Sequence, residues 1–348
     1  MSFKIQINKI RRKIMQGLTK RIGRSYREPK KGEFSAKDIQ NVLIIRPNHR
    51  LGNQLLLTPL VQEVSVLFPD ANIDIFVKGG VAFPVFENYK AVKTIIPLPR
   101  KPFSNLITYF KCWFSINQKT YDLVINADKN SSSGHLLTQL ANSKIKIFGE
   151  IHPSVEKTYP DFKHISKYPI YNLRYHLKNW GFTIDRTEVP VLDIKLTEEE
   201  ISKGKMILSN LVNSEKPIIC IYTNATGNKC YSETWWETFY SRLLTAYPGY
   251  TIIEMLPIEN TSQINFKAPH FYSKDIREMA SIIKNTTVFI AADNGVMHLA
   301  SAALNPTVGF FSVTDEDIYG PYGNGSFAIN TNETDIDDWI LKIDSILK

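Results

Sequence analysis

The stretch VFIAADNGVMHLASAALNPTVGFF, from Val288 to Phe311, contains two apolar runs separated by a segment of small residues. The runs Val288–Ala292 and Thr307–Phe311 are predicted to be buried strands, and His298–Leu304 between them is predicted to be helical. Short, wholly apolar strands joined through a helix are typical of a parallel sheet, because a parallel connection has to cross over one face of the sheet. This stretch therefore predicts a domain of the α/β class.

The same alternation continues through most of the 348 residues. Further strands are predicted at Asn41–Arg46, Asn72–Val77, Thr94–Ile96, Leu123–Asn126, Ile145–Phe148, Pro217–Thr223 and Tyr250–Met255. Further helices are predicted at Gln54–Phe68, Asn105–Asn117, Ser132–Ala141, Trp235–Tyr247, Asp275–Lys284 and Asp335–Leu347, and Tyr168–Leu196 is predicted to be a helix followed by a crossing segment. Since one domain usually contains about 100–200 residues, we predict two doubly wound, Rossmann-like domains facing a central cleft, residues 38–180 and 181–348, after a tail of residues 1–37.

Most of the positive charge lies in this tail. Residues 1–31 contain eleven Lys or Arg residues and one acid, whereas the remaining residues contain 31 bases and 33 acids. Apolar residues recur there at helical spacing, namely Phe3, Ile7, Ile10, Ile14, Leu18 and Ile22. A basic amphipathic helix can lie in the interface of an anionic membrane, so we interpret the tail as a peripheral attachment to the cytoplasmic surface of the inner membrane. A helix packed on the body of the protein and a solvated tail are the alternatives.

The composition disfavours several other classes of protein. Three scattered cysteines, Cys112, Cys220 and Cys230, form no CxxC pair, which disfavours a disulfide framework or a zinc knuckle and is typical of a reducing compartment. No apolar run approaches the roughly 18 residues of a spanning helix, and the N-terminus lacks the apolar core of a signal peptide. The sequence contains no basic motif interleaved with aromatic residues, which disfavours nucleic-acid binding. We expect a cytoplasmic protein without a metal site.

Polar clusters follow three of the predicted strands, where a doubly wound fold binds its ligands. The first is RPNHRLGNQLLLTP, Arg46–Pro59, in which Gly52 allows the backbone to come close to a ligand. The second is TNATGNKCYSETWW, Thr223–Trp236, whose Lys229 is suited to a diphosphate. An ordinary strand–helix turn and a solvated loop lysine are the alternatives for these two clusters.

The third cluster is Asp293-Asn294-Gly295 with His298, at the end of one predicted strand and the start of the next helix. Backbone N–H groups at a helix N-terminus can hold a phosphate, and the helix dipole favours its charge. Asn294 also suits an N-cap, so part of this pattern is structural. The turn-rich loop TDEDIYGPYGN, Thr314–Asn324, is predicted to cover the bound ligand.

Taken together, these clusters resemble the signatures of glycosyltransferase family 9, the lipopolysaccharide heptosyltransferases. In chain order, the matching motifs are Arg46, Leu51-Gly52-Asn53, Thr58-Pro59, Phe68–Asp74, Lys229, Asp293-Asn294-Gly295-Val296-Met297-His298-Leu299-Ala300, Pro306-Thr307-Val308 and Gly320–Gly323. The resemblance implies a GT-B fold and an inverting, metal-independent transfer of heptose from ADP-heptose to the lipopolysaccharide core. The nucleotide sugar is then a substrate, the acceptor is a glycolipid, and no cofactor is implied.

The resemblance also implies roles for individual residues. Donor binding is assigned to Thr226, Lys229, Asp293, Asn294, Gly295 and His298, and a ribose contact to Glu259. In the family, the Asp of Leu-Gly-Asp takes the proton of the acceptor hydroxyl, but this chain has Asn53, and an amide can orient a hydroxyl without acting as a base. Asn53 and His49 are therefore the candidate catalytic residues, with His49 as the substitute base.

Other functions stay open at this point. The change at Asn53 is compatible with a nucleotide-sugar-binding protein that has lost catalysis. Another GT-B enzyme, such as a sugar epimerase or a transferase with a different donor, has the same fold. A dinucleotide-dependent oxidoreductase is disfavoured because no GxGxxG motif is present. A membrane or nucleic-acid adaptor would depend on the basic tail alone.

Overall fold

The computed structural model describes residues 28–99, 106–213 and 215–347, and for residues 106–110 and 113 it describes the backbone only. The predicted amphipathic stripe of the tail, from Phe3 to Ile22, lies outside the described residues. A short 3-10 turn at Ala36–Asp38 precedes the first strand.

Five parallel strands form the first sheet. They are β1 (Asn41–Ile45), β2 (Asn72–Lys78), β3 (Val92–Leu98), β4 (Tyr121–Asn126) and β5 (Ser143–Ile147), in the order β3-β2-β1-β4-β5. The order reverses at β1, which pairs with β2 on one side and with β4 on the other. Loops that leave β1 and β4 therefore diverge, and a crevice opens between them.

Six parallel strands form the second sheet by the same plan. They are β6 (Ile218–Tyr222), β7 (Thr251–Leu256), β8 (His270–Tyr272), β9 (Val288–Ala292), β10 (Thr307–Phe311) and β11 (Phe327–Asn330), in the order β11-β10-β9-β6-β7-β8. Here the order reverses between β6 and β9, the strands that precede the second and third polar clusters. The nine predicted strands are confirmed, and the short edge strands β8 and β11 are additional.

Helices connect the strands of both sheets. In chain order they are α1 (Leu51–Leu55), α2 (Thr58–Leu67), α3 (Ala82–Phe86), α4 (Leu106–Asn117), α5 (Ser132–Leu140), α6 (Pro153–Thr158), α7 (Tyr168–Asn179), α8 (Glu198–Leu211), α9 (Glu233–Ala246), α10 (Ile276–Lys284), α11 (Gly295–Ala302), α12 (Glu316–Tyr319) and α13 (Ile336–Leu347). The sheets fall within the predicted ranges 38–180 and 181–348, whose boundary stays a prediction.

The single helix predicted over Gln54–Phe68 is wrong, because the structure has α1 and α2 in its place. Pro59 explains the break, since its ring would clash with the carbonyl group of Leu55 one helical turn earlier. The hydroxyl group of Thr58 donates instead to that carbonyl oxygen, at 2.7 Å. The interruption leaves α1 as a separate short helix at the end of β1, at the edge of the crevice.

The helix predicted over His298–Leu304 is displaced by three residues at its start, since α11 begins at Gly295. The cause is the side chain of Asn294, whose Oδ1 accepts from the N–H groups of Val296 and Met297 at 2.7 and 2.9 Å. His298 is therefore the fourth residue of the helix instead of its first, and it still lies close to the N-terminus of the helix, as predicted.

The predicted crossing segment links the two halves of the chain. Residues 182–196 contain no regular element, and their backbone bonds to both halves. The N–H group of Asp193 donates to the Thr58 hydroxyl in α2, at 3.1 Å, and the N–H group of Ile194 donates to the Ala302 carbonyl in α11, at 2.8 Å. This segment holds the two sheets on opposite sides of one cleft.

No helix in the described ranges is long and apolar enough to cross a membrane.

Candidate functional site

The first polar centre of the cleft is Asp293, which follows β9 directly. Its side chain is 4% exposed, and its Oδ2 accepts hydrogen bonds from Lys229 Nζ and Thr314 Oγ1, each at 2.5 Å. Lys229 comes from the loop after β6 and Thr314 from the loop after β10, the two strands that flank β9. The parallel sheet thus brings three loops together at one carboxylate.

Lys229 is only partly buried, unlike Asp293. Its side chain remains 30% exposed, and its ammonium group lies 5.8 Å from the centre of the Tyr319 ring. Pairing with Asp293 offsets part of the desolvation cost of the cation and fixes its position. An ammonium group that is fixed and still accessible is suited to a phosphate group.

Asn294 and Gly295 form the N-terminus of α11. The side chain of Asn294 is fully engaged, because its Nδ2 donates to the carbonyl groups of Asn224 and Ala292 at 3.0 and 2.9 Å while its oxygen caps the helix. Asn294 therefore shapes the turn and caps the helix, as the sequence predicted. Its contact with the donor stays a prediction.

Gly52 in α1 and Gly295 in α11 lie at a close contact between the two halves of the chain. A methyl group on Gly52 would lie 2.8 Å from His298 Cδ2, and a methyl group on Gly295 would lie 3.3 Å from the backbone nitrogen of Gly52. Side chains at either position would force α1 and α11 apart. These glycines thus allow the cluster after β1 to meet the cluster after β9. The sequence predicted Gly52 to lie close to a ligand, and that role stays a prediction.

His298 is buried against this contact, with 4% of its surface exposed. Burial lowers the pKa of His298 to about 4, and the Asp293 carboxylate offsets this effect only in part. The positive charges of Lys229 and Arg46 also disfavour protonation. His298 is therefore neutral at pH 7, so the positive charge offered to an anionic ligand comes from Lys229 and from the helix N-terminus.

Asn53 lies in α1 and faces back toward the first sheet. Its Oδ1 accepts from Nη2 of Arg46 at 3.0 Å, and Nη1 of the same guanidinium donates to the Ala127 carbonyl after β4, at 3.1 Å. Arg46 is 1% exposed. The donor on Arg46 requires the amide oxygen of Asn53 to face it, so the amide nitrogen is the group left for the cleft.

Three of the predicted site residues lie at the surface and not among the buried residues of the cleft. His49, Thr226 and Glu259 all have exposed side chains. Thr226 precedes the turn Gly227–Lys229 without capping it. Glu259 lies near Tyr222 at the end of β6, where burial first and the Glu259 charge second raise the pKa of the tyrosine. Their roles in binding or catalysis stay predictions.

The sequence did not identify His164, which holds the predicted covering loop from the other half of the chain. Its Nε2 bonds to the Gly320 carbonyl at 2.9 Å, and the N–H group of Ile165 donates to the Ile318 carbonyl at 3.0 Å. A carbonyl oxygen can only accept, so His164 carries its proton on Nε2. Burial lowers the pKa of His164 to about 4, which keeps the ring in this neutral state.

Comparison with known proteins agrees with this geometry. Residues 273–337, which contain β9, α11 and the covering loop, match the family described as Glycosyltransferase family 9 (heptosyltransferase). The predicted resemblance to that family is thereby confirmed over these residues. None of the curated proteins matches the chain.

Several solved structures share the fold. A glycosyl transferase family 9 protein from Veillonella parvula has a TM-score of 0.70 at 16% identity, covering 90% of this chain and 98% of that one. The E. coli heptosyltransferase WaaC with ADP has a TM-score of 0.64 at 17% identity, covering 88% and 100%. E. coli ADP-heptose lps heptosyltransferase II has a TM-score of 0.61 at 17% identity, covering 88% and 98%. The predicted GT-B fold is confirmed.

A methyl group at Gly52 tests the contact between the two halves. We expect Gly52→Ala to lower the free energy of unfolding by about 1–2 kcal/mol, because overpacking against His298 exceeds the gain in helix propensity. Gly249→Ala is the matched control, since a methyl group there meets no heavy atom within 4 Å. The control should change stability by less than about 0.5 kcal/mol in urea titrations. Equal effects of the two substitutions would contradict the proposed close contact.

The buried histidines predict a dependence of stability on pH. Burial lowers the pKa of His164 in the folded chain to about 4, from an ordinary value of 6.5. Its contribution to stability is therefore complete above pH 6.5 and is lost as the pH falls toward 4, at up to about 1.4 kcal/mol per pH unit. We expect His164→Gln to reduce the slope of the free energy of unfolding against pH by up to about 1.4 kcal/mol per pH unit, in urea titrations at pH 7, 6 and 5. An unchanged slope would show that the pKa of His164 is the same in the folded and the unfolded chain.

Proposed function

We propose that this protein is an inverting glycosyltransferase that uses ADP-heptose as donor and a lipopolysaccharide core or related cell-envelope glycan as acceptor. The observation that carries the proposal is the meeting of Lys229, Asp293 and the N-terminus of α11 at the reversal point of the second sheet, directly opposite α1. Such a crevice is where doubly wound folds bind nucleotides. The E. coli relative WaaC has ADP in its structure, which supports the same nucleotide here.

In the proposed reaction, a hydroxyl oxygen of the acceptor forms a bond to the anomeric carbon of the donor sugar. The bond from that carbon to the phosphate oxygen breaks on the opposite face, and the electron pair leaves with the nucleoside diphosphate. Lys229 and the N–H groups of α11 stabilise the charge that develops there. The proposal needs no separate cofactor, because the nucleotide sugar is itself the substrate.

The proton of the acceptor hydroxyl requires a base. Asn53 stands where the family has an aspartate, and its amide oxygen is already occupied by Arg46. His49 precedes α1 in the same loop, so we propose it as the substitute base. A second candidate function, nucleotide-sugar binding without turnover, is favoured by the same observation at Asn53.

Transfer activity is the direct test. Purified protein is incubated with a panel of nucleotide sugars and truncated core oligosaccharides, and the released nucleoside diphosphate and the glycan product are measured. We expect transfer from ADP-heptose by the native chain. Activity only in Asn53→Asp would indicate that the base has been lost from an otherwise competent site. Donor binding without turnover in either protein would favour the binding protein.

Lys229 provides the matched comparison within this assay. We expect Lys229→Ala to weaken donor binding by about ten- to a hundredfold, because it removes one charge-assisted contact to the diphosphate. Lys267→Ala is the control, since Lys267 also pairs with a carboxylate, Glu237 at 2.6 Å, on the exposed surface. Equal donor affinity in the native chain and Lys229→Ala would contradict the placement of the diphosphate.

We also propose that residues 1–31 attach the protein peripherally to the cytoplasmic surface of the inner membrane. Their eleven cations support this, because each is worth about 1 kcal/mol near an anionic surface. A chain lacking residues 1–31 should fail to sediment with vesicles containing 30% anionic lipid (roughly the amount that gives a strong surface potential) and should retain donor binding. Retained sedimentation would remove the attachment role, and lost donor binding would place the tail in the fold.

A further inference from the structure

The structure contains three buried arginines among its described residues, and they are not treated alike. They are Arg46, Arg174 and Arg277, with 1%, 1% and 6% of their surface exposed. Burial of a cation is costly unless a carboxylate or an equivalent acceptor compensates it. The partners of the three side chains can therefore be compared directly.

Two of the three are paired with carboxylates. Arg174 bonds to both carboxylate oxygens of Glu63, at 2.7 and 3.0 Å. Arg277 bonds to both carboxylate oxygens of Glu200, at 2.5 and 2.8 Å. Each of these cations is neutralised within the fold.

Arg46 differs, because its side-chain partners are a neutral amide and a backbone carbonyl. It bonds to Asn53 and to the carbonyl oxygen of Ala127, and within the described ranges it forms no ion pair. Its Nε is buried without a hydrogen-bond acceptor among the described residues. The positive charge of Arg46 also disfavours protonation of His298, so its field reaches the centre of the cleft. The cleft therefore contains one buried cation that forms no ion pair with a described carboxylate.

The side chain of Asn53 bonds to Arg46 and is itself partly exposed to the cleft. Its oxygen is occupied by Arg46, and its amide nitrogen bonds to no described residue while the side chain is partly exposed. The group that α1 presents is thus a hydrogen-bond donor backed by a buried cation. A hydroxyl oxygen can meet this donor, but an oxyanion gains the attraction of the charge as well.

We propose that Asn53 and Arg46 form a recognition site for an oxyanion, a carboxylate or phosphate group carried by the acceptor glycan. Asn53 contacts the anion through Nδ2, and Arg46 is a positioning residue that orients the amide and supplies the counter-charge from behind. The site rests on the proposed function only in assigning the anion to the acceptor. It makes position 53 a determinant of specificity for acidic acceptors instead of the place of the base.

The test uses the full-length protein and three monosaccharide probes. Glucuronate carries a carboxylate, glucose 6-phosphate carries a phosphate, and glucose is neutral. In the native chain, either acidic probe should shift the NMR signal of the Asn53 side-chain amide, and glucose should leave it unchanged. Comparison of the two acidic probes distinguishes the carboxylate from the phosphate as the source of the anion.

Two substitutions that add the same charge complete the design. Asn53→Asp supplies Arg46 with a carboxylate, so it should weaken binding of the acidic probes by about ten- to a hundredfold and leave glucose binding unchanged. Asn48→Asp places the same charge in the same loop, where its oxygen can still accept from the N–H group of Arg50. This control should weaken binding by less than about threefold, as expected for a screened surface charge.

Some outcomes would overturn the proposal, and one would reject the proposed enzyme alone. Equal weakening by the two substitutions would show a general effect of charge on the cleft. A shift of the Asn53 amide by ADP alone, which then blocks the acidic probes, would assign the anion to the donor diphosphate. Absence of transfer together with binding of the acidic probes would reject the proposed enzyme and keep the site. Equal transfer to acidic and neutral acceptors would support the proposed enzyme and reject the oxyanion site.

Discussion

The close approach of α1 and α11 is the constraint on which the site depends. Each helix begins just after a central strand of its own sheet, and each carries a glycine at the point of contact. Because neither glycine has a side chain, the two helices approach so closely that a methyl group on either glycine would contact the other helix. The crevices at the reversal points of the two sheets therefore open toward one cleft instead of onto separate surfaces.

This constraint also determines the electrostatics of the cleft. Asp293 neutralises Lys229, and burial keeps His298 neutral. Arg46 remains the cation that no described carboxylate balances. The proposed ligands of this cleft are anionic on both sides, a diphosphate at α11 and an acidic group at α1. Such complementarity contributes to the choice of ligand as well as to affinity.

The residue at position 53 determines both whether Arg46 is paired with a carboxylate and whether a base is present there. An aspartate there would neutralise Arg46 and supply a base in one side chain. With Asn53, the two roles are separated, because the amide satisfies the geometry of the guanidinium and leaves its charge in place. Asn53 bonds to Arg46, whereas Asp293 bonds to Lys229 and Thr314, so the two centres have separate contacts. The two proposed functions, transfer with a relocated base and donor binding alone, both place the donor at Asp293.

The sequence by itself determined the fold class and the order of the elements. Nine of the eleven strands were predicted. Seven of them are buried along almost their whole length, and such strands contain few polar residues, whereas β3 and β5 are partly exposed edge strands. The edge strands β8 and β11 are short and partly exposed, so they carry no such signal. The break before Pro59 was readable from the chain but was overridden by the apolar period on either side of it.

The composition of the site was decided only by the tertiary structure. Sequence motifs placed Gly52, Lys229, Asp293 and His298 in candidate ligand-binding clusters, since each follows a predicted strand. They did not indicate that Lys229 pairs with Asp293, that His164 holds the covering loop, or that the oxygen of Asn53 is turned toward Arg46. These contacts join residues 64, 156 and 7 positions apart, and in each case packing rather than local sequence decides which atoms meet. Local patterns fix the elements because their hydrogen bonds are local, whereas the charge and orientation of a site depend on which loops the sheets bring together.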